Sequence, residues 1–415
     1  MSVLPRILGP LLSLGLSGLG ALGCVRVHVV PAPSAVQSVA PEDAPLSPYD
    51  APRPRAESMN TEYYLGSEVD EAAGFKSFAQ QIQAIQDHQS ASQDQPVQRG
   101  FHGKGHGCLQ GTMTLLPDRD PRTRFGVFAD AHEGWPVWVR FSNGVGWKQA
   151  DRTLDARGMA VKLMGVPGEK LIADEAATQD FLMTNSPAPV GRNAEEFMRF
   201  AHTNSRGKPQ TIGYALTRPR TVLPAVTKTN AVDSMLAIQY WSGGAYHLGA
   251  HQAVKFTSRA CEASERTPSR KDPDYLRTDL QDAAQEELCF TFFVQLQVDA
   301  KRTPIEDAAR VWDPSVSPEL PVAEIRLPAQ DFTSAEQDGF CDALSFNPWH
   351  SISAHQPMGH INRARRFVYE ASRAHRDGGL EPQTPVDPAA EPEADPAAEP
   401  EEGPEAIEDT APPAP

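Results

Sequence analysis

The apolar positions of this chain repeat with two periods, and the switch between them divides it. Across residues 70–90, Phe75, Phe78, Ile82 and Ile85 recur at helical spacing among Gln and Lys, which predicts an amphipathic helix. From residue 112 the period shortens to two. Residues 112–116, 136–143, 157–164 and 180–184 are short runs of β-formers bounded by Gly, Pro and Asp. Residues 193–202 return to a helical pattern, and strands follow at 253–258, 288–298 and 321–327. The run Phe-Thr-Phe-Phe-Val-Gln-Leu-Gln-Val from Phe290 alternates well. A last helix spans 362–374. Short strands at this spacing predict an α+β fold: a closed antiparallel barrel with inserted and flanking helices.

The flanks differ in composition. Residues 7–23 follow Arg6, carry no charge and end at Ala21-Leu22-Gly23-Cys24, a secretory signal pattern. Gly before Cys suits a bacterial lipoprotein signal, with Cys24 the lipidated N-terminus and a membrane tether. An ordinary signal peptide or an uncleaved anchor are the alternatives. The expectation is export, as a periplasmic or outer-membrane lipoprotein. The expected organisation is a signal at 1–24, a Pro/Ala-rich linker at 25–65, a folded domain at 66–376 and a disordered Pro/Ala/Glu tail at 377–415. Net charge is −16, and the tail from Glu381 holds many of the acids and no Lys or Arg. That balance argues against nucleic acid, whose phosphates need a basic surface. The five cysteines show no metal spacing, and both disulfides and buried thiols stay open.

Two distant patches make chemical sense together. An ionised Tyr can be an axial ligand to haem iron. Ionising a phenol, with an ordinary pKa near ~10, calls for a nearby cation. Arg365 lies one helical turn before Tyr369 and supplies it. His102, in Arg99-Gly-Phe-His102-Gly-Lys104, would move a proton on a bound peroxide. Arg99, Arg140 and Arg376 suit the carboxylates of haem propionates, because Arg pairs with them bidentately. Arg140 interrupts the apolar run Val137-Trp138-Val139-Phe141, so its charge needs a buried partner. Ser142 shares its side of the strand and could fix the tautomer of His102. His106, His132 and His202 read as surface or structural histidines. No P-loop, dinucleotide, Gly-x-Ser-x-Gly or zinc motif competes.

These blocks, in this order, resemble the catalase superfamily, and more closely its divergent, minimal-core branch. The likeness runs from about Pro96 to Arg376. It rests on Arg99-x-x-His102-x-Lys-Gly, Val139-Arg140-Phe141-Ser142, Asp155-Ala-Arg157-Gly158-Met-Ala-Val-Lys162, the segment from Gln179-Asp180-Phe181 to Phe197, and Arg365-x-x-x-Tyr369. The resemblance implies an eight-stranded barrel with haem b against it. Tyr369 would be the iron ligand and His102 the distal acid/base with Ser142. Arg99, Arg140, Phe197, Arg365 and Arg376 would hold the cofactor. A distal Asn is implied three residues before a Pro. Counting back from Pro187, that position holds Thr184 and Asn185 comes one residue later, so either could take the role. Pro189 stands where a haem-stacking Phe is usual, and Phe101 adds bulk beside His102.

The implied activity is haem-dependent cleavage of hydrogen peroxide or an organic hydroperoxide, of catalase or peroxidase type. The alternatives are conversion of fatty-acid hydroperoxides and a non-catalytic haem-binding lipoprotein. Oligomeric state is left open. The signal pattern gives a direct test: Cys24→Ala should move the protein from the membrane to the soluble fraction. Unchanged fractionation would mean that Cys24 is not the tether.

Overall fold

The computed structural model describes residues 68–129, 134–219 and 232–376. The signal, linker and tail expectations, Cys24 and His132 therefore lie outside the described residues.

The barrel is the expected one. Eight strands run in the order β7-β5-β4-β3-β2-β1-β9-β8, and pairing of β7 with β8 closes the ring. They are β1 (Gly105–Leu115), β2 (Trp135–Asn143), β3 (Arg157–Met164), β4 (Thr178–Thr184), β5 (Gln239–Trp241), β7 (Gln252–Ala260), β8 (Leu288–Leu296) and β9 (Glu319–Leu327). Two short strands, β6 (Ala245–Leu248) and β10 (Pro357–Met358), extend β7 outside the ring. All pairings are antiparallel. Cys261, just past β7, is bridged to Cys289 in β8, while Cys108 and Cys341 are free and buried.

Register decides what each face carries, because successive side chains in a strand point to opposite faces. Leu109, Val139, Val161 and Phe181 lie side by side across β1–β4 and are fully buried in the barrel core. The adjacent rows, Cys108-Arg140-Ala160-Leu182 and Ser142-Gly158-Thr184, therefore face outward. One extra residue, His106, bulges from β1 between Gly105 and Gly107. It is fully buried, with Nε2 2.8 Å from Asn143 Oδ1, so it is a structural histidine and not a surface one.

Three helices cover part of this outer face: α1 (Glu68–Gln93), α2 (Ala194–Ser205) and α6 (Gly359–Arg376). The predicted stripe Phe75, Phe78, Ile82 and Ile85 packs against Met198 of α2 and Ile361, Ala364 and Val368 of α6. Shorter helices α3 (Lys208–Thr217), α4 (Tyr275–Ala283) and α5 (Ala335–Ala343) complete the described set.

Buried charge locks α6 in place. Arg363 donates to Glu71 of α1 at 2.8 and 2.9 Å and to Glu306 at 2.9 Å. Removing one partner of this half-buried set leaves the others unpaired and destabilises the fold. A second network joins Lys162 of β3 to Glu175, and to Asp180 of β4 at 2.9 Å. His350 Nδ1 lies 2.8 Å from Asp180, and its Nε2 lies 2.9 Å from Asp174. Glu175, Asp180 and His350 are close enough to hold a metal ion, but the Lys162 ammonium already supplies the cation there.

Burial also sets an acid limit on the fold. It pushes His106 and His360 down to about 4 and His355 to about 3. The unfolded chain protonates the same rings near 6.5. Between these values the folded state binds fewer protons, so stability falls as pH drops through the window. For His350, burial and Lys162 push down, but Asp180 and Asp174 outweigh them and the net shift is upward. That contribution is already complete below the unfolded value, so it does not offset the loss. Urea unfolding should lose at least about 2 kcal/mol between pH 6.5 and pH 5, from up to about 1.4 kcal/mol per pH unit for each ring. A flat or rising profile would contradict this account.

Candidate active site

A cleft with about 820 Å³ of empty space, part of it open to solvent, lies on the barrel's outer face. One wall is the outward tile of β2–β4: Arg140, Ser142, Gly158, Ala160, Leu182 and Thr184. Gly158 and Ala160 sit at its middle and keep it flat. A second wall is one face of α6, where Arg365, Val368, Tyr369, Ser372, Arg373 and Arg376 follow helical spacing. Arg99, Phe101 and His102 close it from the segment between α1 and β1.

His102 is held by its backbone. It adopts φ +56, one of two non-glycine residues with positive φ among those described. That conformation costs about 1–2 kcal/mol in an L residue. Its N–H donates to Gly144 O at 2.9 Å, and Gly103 N–H donates to Val145 O at 3.1 Å, which fixes the turn. The ring Nδ1 lies 3.0 Å from Ser142 Oγ. Gly158 makes room for this pair: a Cβ there would come within 2.6 Å of His102 Nδ1 and 2.9 Å of Ser142 Oγ. Burial, with Arg140 and Arg365 nearby, pushes the imidazole down to about 4, so it is neutral at pH 7.

The arginines form one cluster. Arg140 is 3% exposed, and its Nε and Nη2 donate to nothing among the described residues. Arg99 donates to the carbonyls of Cys341, at 3.3 Å, and Leu344. Burial, then the charges of Arg140 and Arg376, holds Arg99 well below the usual guanidinium range. Three cations crowded together, one with unanswered donors, mark a place for an anion.

On α6, Arg365 donates from Nη1 to Asn362 Oδ1 at 3.0 Å. Asn362 donates to Ala245 O at 2.8 Å and accepts from Trp349 Nε1 at 2.7 Å through its carbonyl. These bonds set the rotation of the helix that presents Tyr369. Tyr246 lies in the same corner; burial, with Arg365 pulling the other way, pushes its phenol up to about 12.

The cleft thus gathers Arg99, His102, Arg140, Ser142, Arg365, Tyr369 and Arg376. It does not gather Asn185. Thr184 lines the wall instead, because Thr184 is in register with Gly158 on the outward face. The Asn185 carboxamide accepts from Arg157 N–H at 2.8 Å, beyond the end of β4. Phe197 stands behind the wall: it meets Phe101 edge-on at 5.5 Å, and Phe101 lines the cleft. The sequence reading did not single out Arg373, although it lies four residues past Tyr369 on the same helix face. Nor did it foresee the clearance at Gly158, which depends on strand pairing.

A family model for Catalase matches residues 68–216. Three solved structures share the fold. A fungal catalase is 18% identical with a TM-score of 0.58, covering 71% of this chain and 63% of its own. Catalase A from Saccharomyces cerevisiae is 20% identical with a TM-score of 0.55, covering 69% and 62%. A bacterial catalase is 17% identical with a TM-score of 0.56, covering 75% and 66%. Residues 68–216 are thus similar to the catalase family, and the chain shares the fold of the solved catalases. The chain spans under two thirds of the length of each of those solved chains. The matched family region carries His102, Arg140, Ser142 and Gly158, and the α6 wall lies outside it.

Adding a methyl group at Gly158 should separate His102 from Ser142. In Gly158→Ala the Nδ1 to Oγ hydrogen bond should be lost while the barrel stays folded. A crystal structure, or the titration of the His102 ring by NMR, checks this; an unchanged bond would show that the pair can shift without cost.

Proposed function

We propose that this protein is a member of the catalase superfamily that binds haem in the cleft and cleaves peroxides there, by catalase- or peroxidase-type turnover. The observation that carries the reading is the convergence, in one cleft, of a strained His102 bound to Ser142, a Tyr369 with Arg365 one turn behind it, and a cluster of three arginines. The residues fit the cofactor. The tile at Gly158 and Ala160 admits a flat ring, and the unanswered Nε and Nη2 of Arg140 suit a propionate carboxylate. Arg99 and Arg376 supply further charge for the same carboxylates.

Haem iron supplies the redox chemistry of O–O cleavage. Tyr369 is the proposed ligand, with Arg365 one turn behind it on the same helix. His102, neutral at pH 7, takes the proton from one peroxide oxygen and returns it to the departing one. In the tautomer with the proton on Nδ1, which would donate to Ser142 Oγ, the Nε2 lone pair is left for that task. Thr184, and not a carboxamide, faces the substrate side. A hydroxyl donates one hydrogen bond where an amide offers two. This favours peroxidase-type turnover with an external donor over rapid dismutation. Export as a Cys24-anchored lipoprotein belongs to the same proposal, and would set the activity at the cell envelope.

Two substitutions separate the roles. Tyr369→Phe should lose most bound haem, read as Soret absorbance per protein. His102→Ala should keep haem and lose at least about a hundredfold in peroxide consumption, the usual worth of a positioned acid/base. Equal haem content in Tyr369→Phe and wild type would remove Tyr369 as ligand and overturn the reading.

A further inference from the structure

Behind the arginine cluster lies a feature that peroxide cleavage at haem does not use. Cys108 of β1 and Cys341 of α5 are both free, at 2% and 6% exposure, and share one small buried cluster with Trp138 and Leu344. They are 233 residues apart in the chain, so only the fold brings them together. Cys108 is the cross-strand partner of Arg140, and the Cys341 carbonyl accepts from Arg99. Gln337, on α5, donates to Cys108 O at 2.7 Å and holds that helix against β1. Phe346 packs on the cysteine cluster from one side and lines the cleft from the other.

We propose that Cys108 and Cys341 form a peroxide-oxidisable dithiol beside the cleft, with Cys341 the attacking sulfur and Cys108 the resolving one. The surroundings assign the roles. Cys341 is the more exposed of the two, at 6% against 2%, and its own carbonyl receives Arg99. Burial pushes Cys341 up, but the neighbouring Cys108 thiol and the charges of Arg140 and Arg99 outweigh it, and the net direction is down. Burial and the neighbouring Cys341 sulfur push Cys108 up. A thiolate beside guanidinium groups is the usual setting of a reactive cysteine.

The chemistry balances with a peroxide as oxidant. The Cys341 thiolate attacks one peroxide oxygen, the O–O bond breaks, and the departing oxygen takes a proton and leaves as water or an alcohol. Cys341 is then a sulfenic acid. Cys108 sulfur attacks it, the S–O bond breaks, and a second water leaves as the disulfide forms. Two thiols supply two electrons and one peroxide is reduced. The resulting bridge would tie α5 to β1 and remove the negative charge next to Arg99 and Arg140. Haem takes no part in these steps, so the inference stands or falls separately from the proposed function.

The test uses the full chain, reduced under anaerobic conditions and then given hydrogen peroxide from a slow enzymatic source. Tyr369→Phe is run beside wild type so that peroxide consumed at haem does not mask the thiols. Peptide mass mapping under non-reducing conditions distinguishes this bridge from Cys261–Cys289. The expected result is a Cys108–Cys341 bridge in both proteins. In Cys108→Ser, Cys341 should be trapped as a sulfenic acid by dimedone. In Cys341→Ser, Cys108 should react at least about tenfold more slowly. Full alkylation of both thiols after peroxide and unfolding would overturn the proposal, as would faster oxidation of Cys108 than Cys341 in the serine variants.

Discussion

Everything at the cleft depends on the register of β2, β3 and β4. Because a strand shows alternate residues to opposite faces, one pairing serves two purposes at once. Val139, Val161 and Phe181 fill the barrel, and the residues beside them, Arg140, Ala160 and Leu182, make a wall outside it. A slip of one residue would send Arg140 into the apolar core. That would leave a buried cation without a partner, so the slipped register is excluded energetically. The same core that stabilises the barrel thus fixes the wall to which His102 is hydrogen-bonded.

The second wall is positioned by charge and not by pairing. α6 is tied to α1 through Arg363 and Glu71, to the chain at Glu306, and to the strand end at Ala245 through Asn362. Gly244 allows this approach, since a Cβ there would lie 2.6 Å from Asn362 Nδ2. Such contacts are directional and few. They set the rotation of α6, and through it which face presents Arg365, Tyr369 and Arg376.

Much of this was legible in the sequence. The stripe from Phe75 to Ile85 reads as a helix because its period is 3.6, and it packs as read. The middle strands read well because β-branched and aromatic residues alternate with polar ones. β1 starts at Gly105, well before its apolar part, since glycines carry no pattern. The short strands β5, β6 and β10 and the helices α3, α4 and α5 went unread, because each is fixed by tertiary contacts and not by periodicity. The Thr184/Asn185 ambiguity could not be settled from spacing. Only the pairing of Thr184 with Gly158 decides which residue faces the cleft. The neighbourhood of Cys108 and Cys341 was invisible for the same reason.

The electrostatics of the cleft carry the argument one step further. Like charges held in a half-buried site destabilise the fold unless something answers them. Arg99 is answered in part by two carbonyls and by Asp342 at 3.7 Å, but Asp342 is largely exposed and screened. Among the described residues, the buried Nε and Nη2 donors of Arg140 are left without an acceptor at this edge. An anionic group bound between the tile and α6 would relieve this strain and satisfy the orphaned donors together. Ligand binding and stability are thus coupled through Arg140: whatever fills the cleft must bring negative charge to that edge and an apolar flat surface to Gly158 and Ala160. The demand on any bound group comes from the fold itself, before any catalytic role is considered.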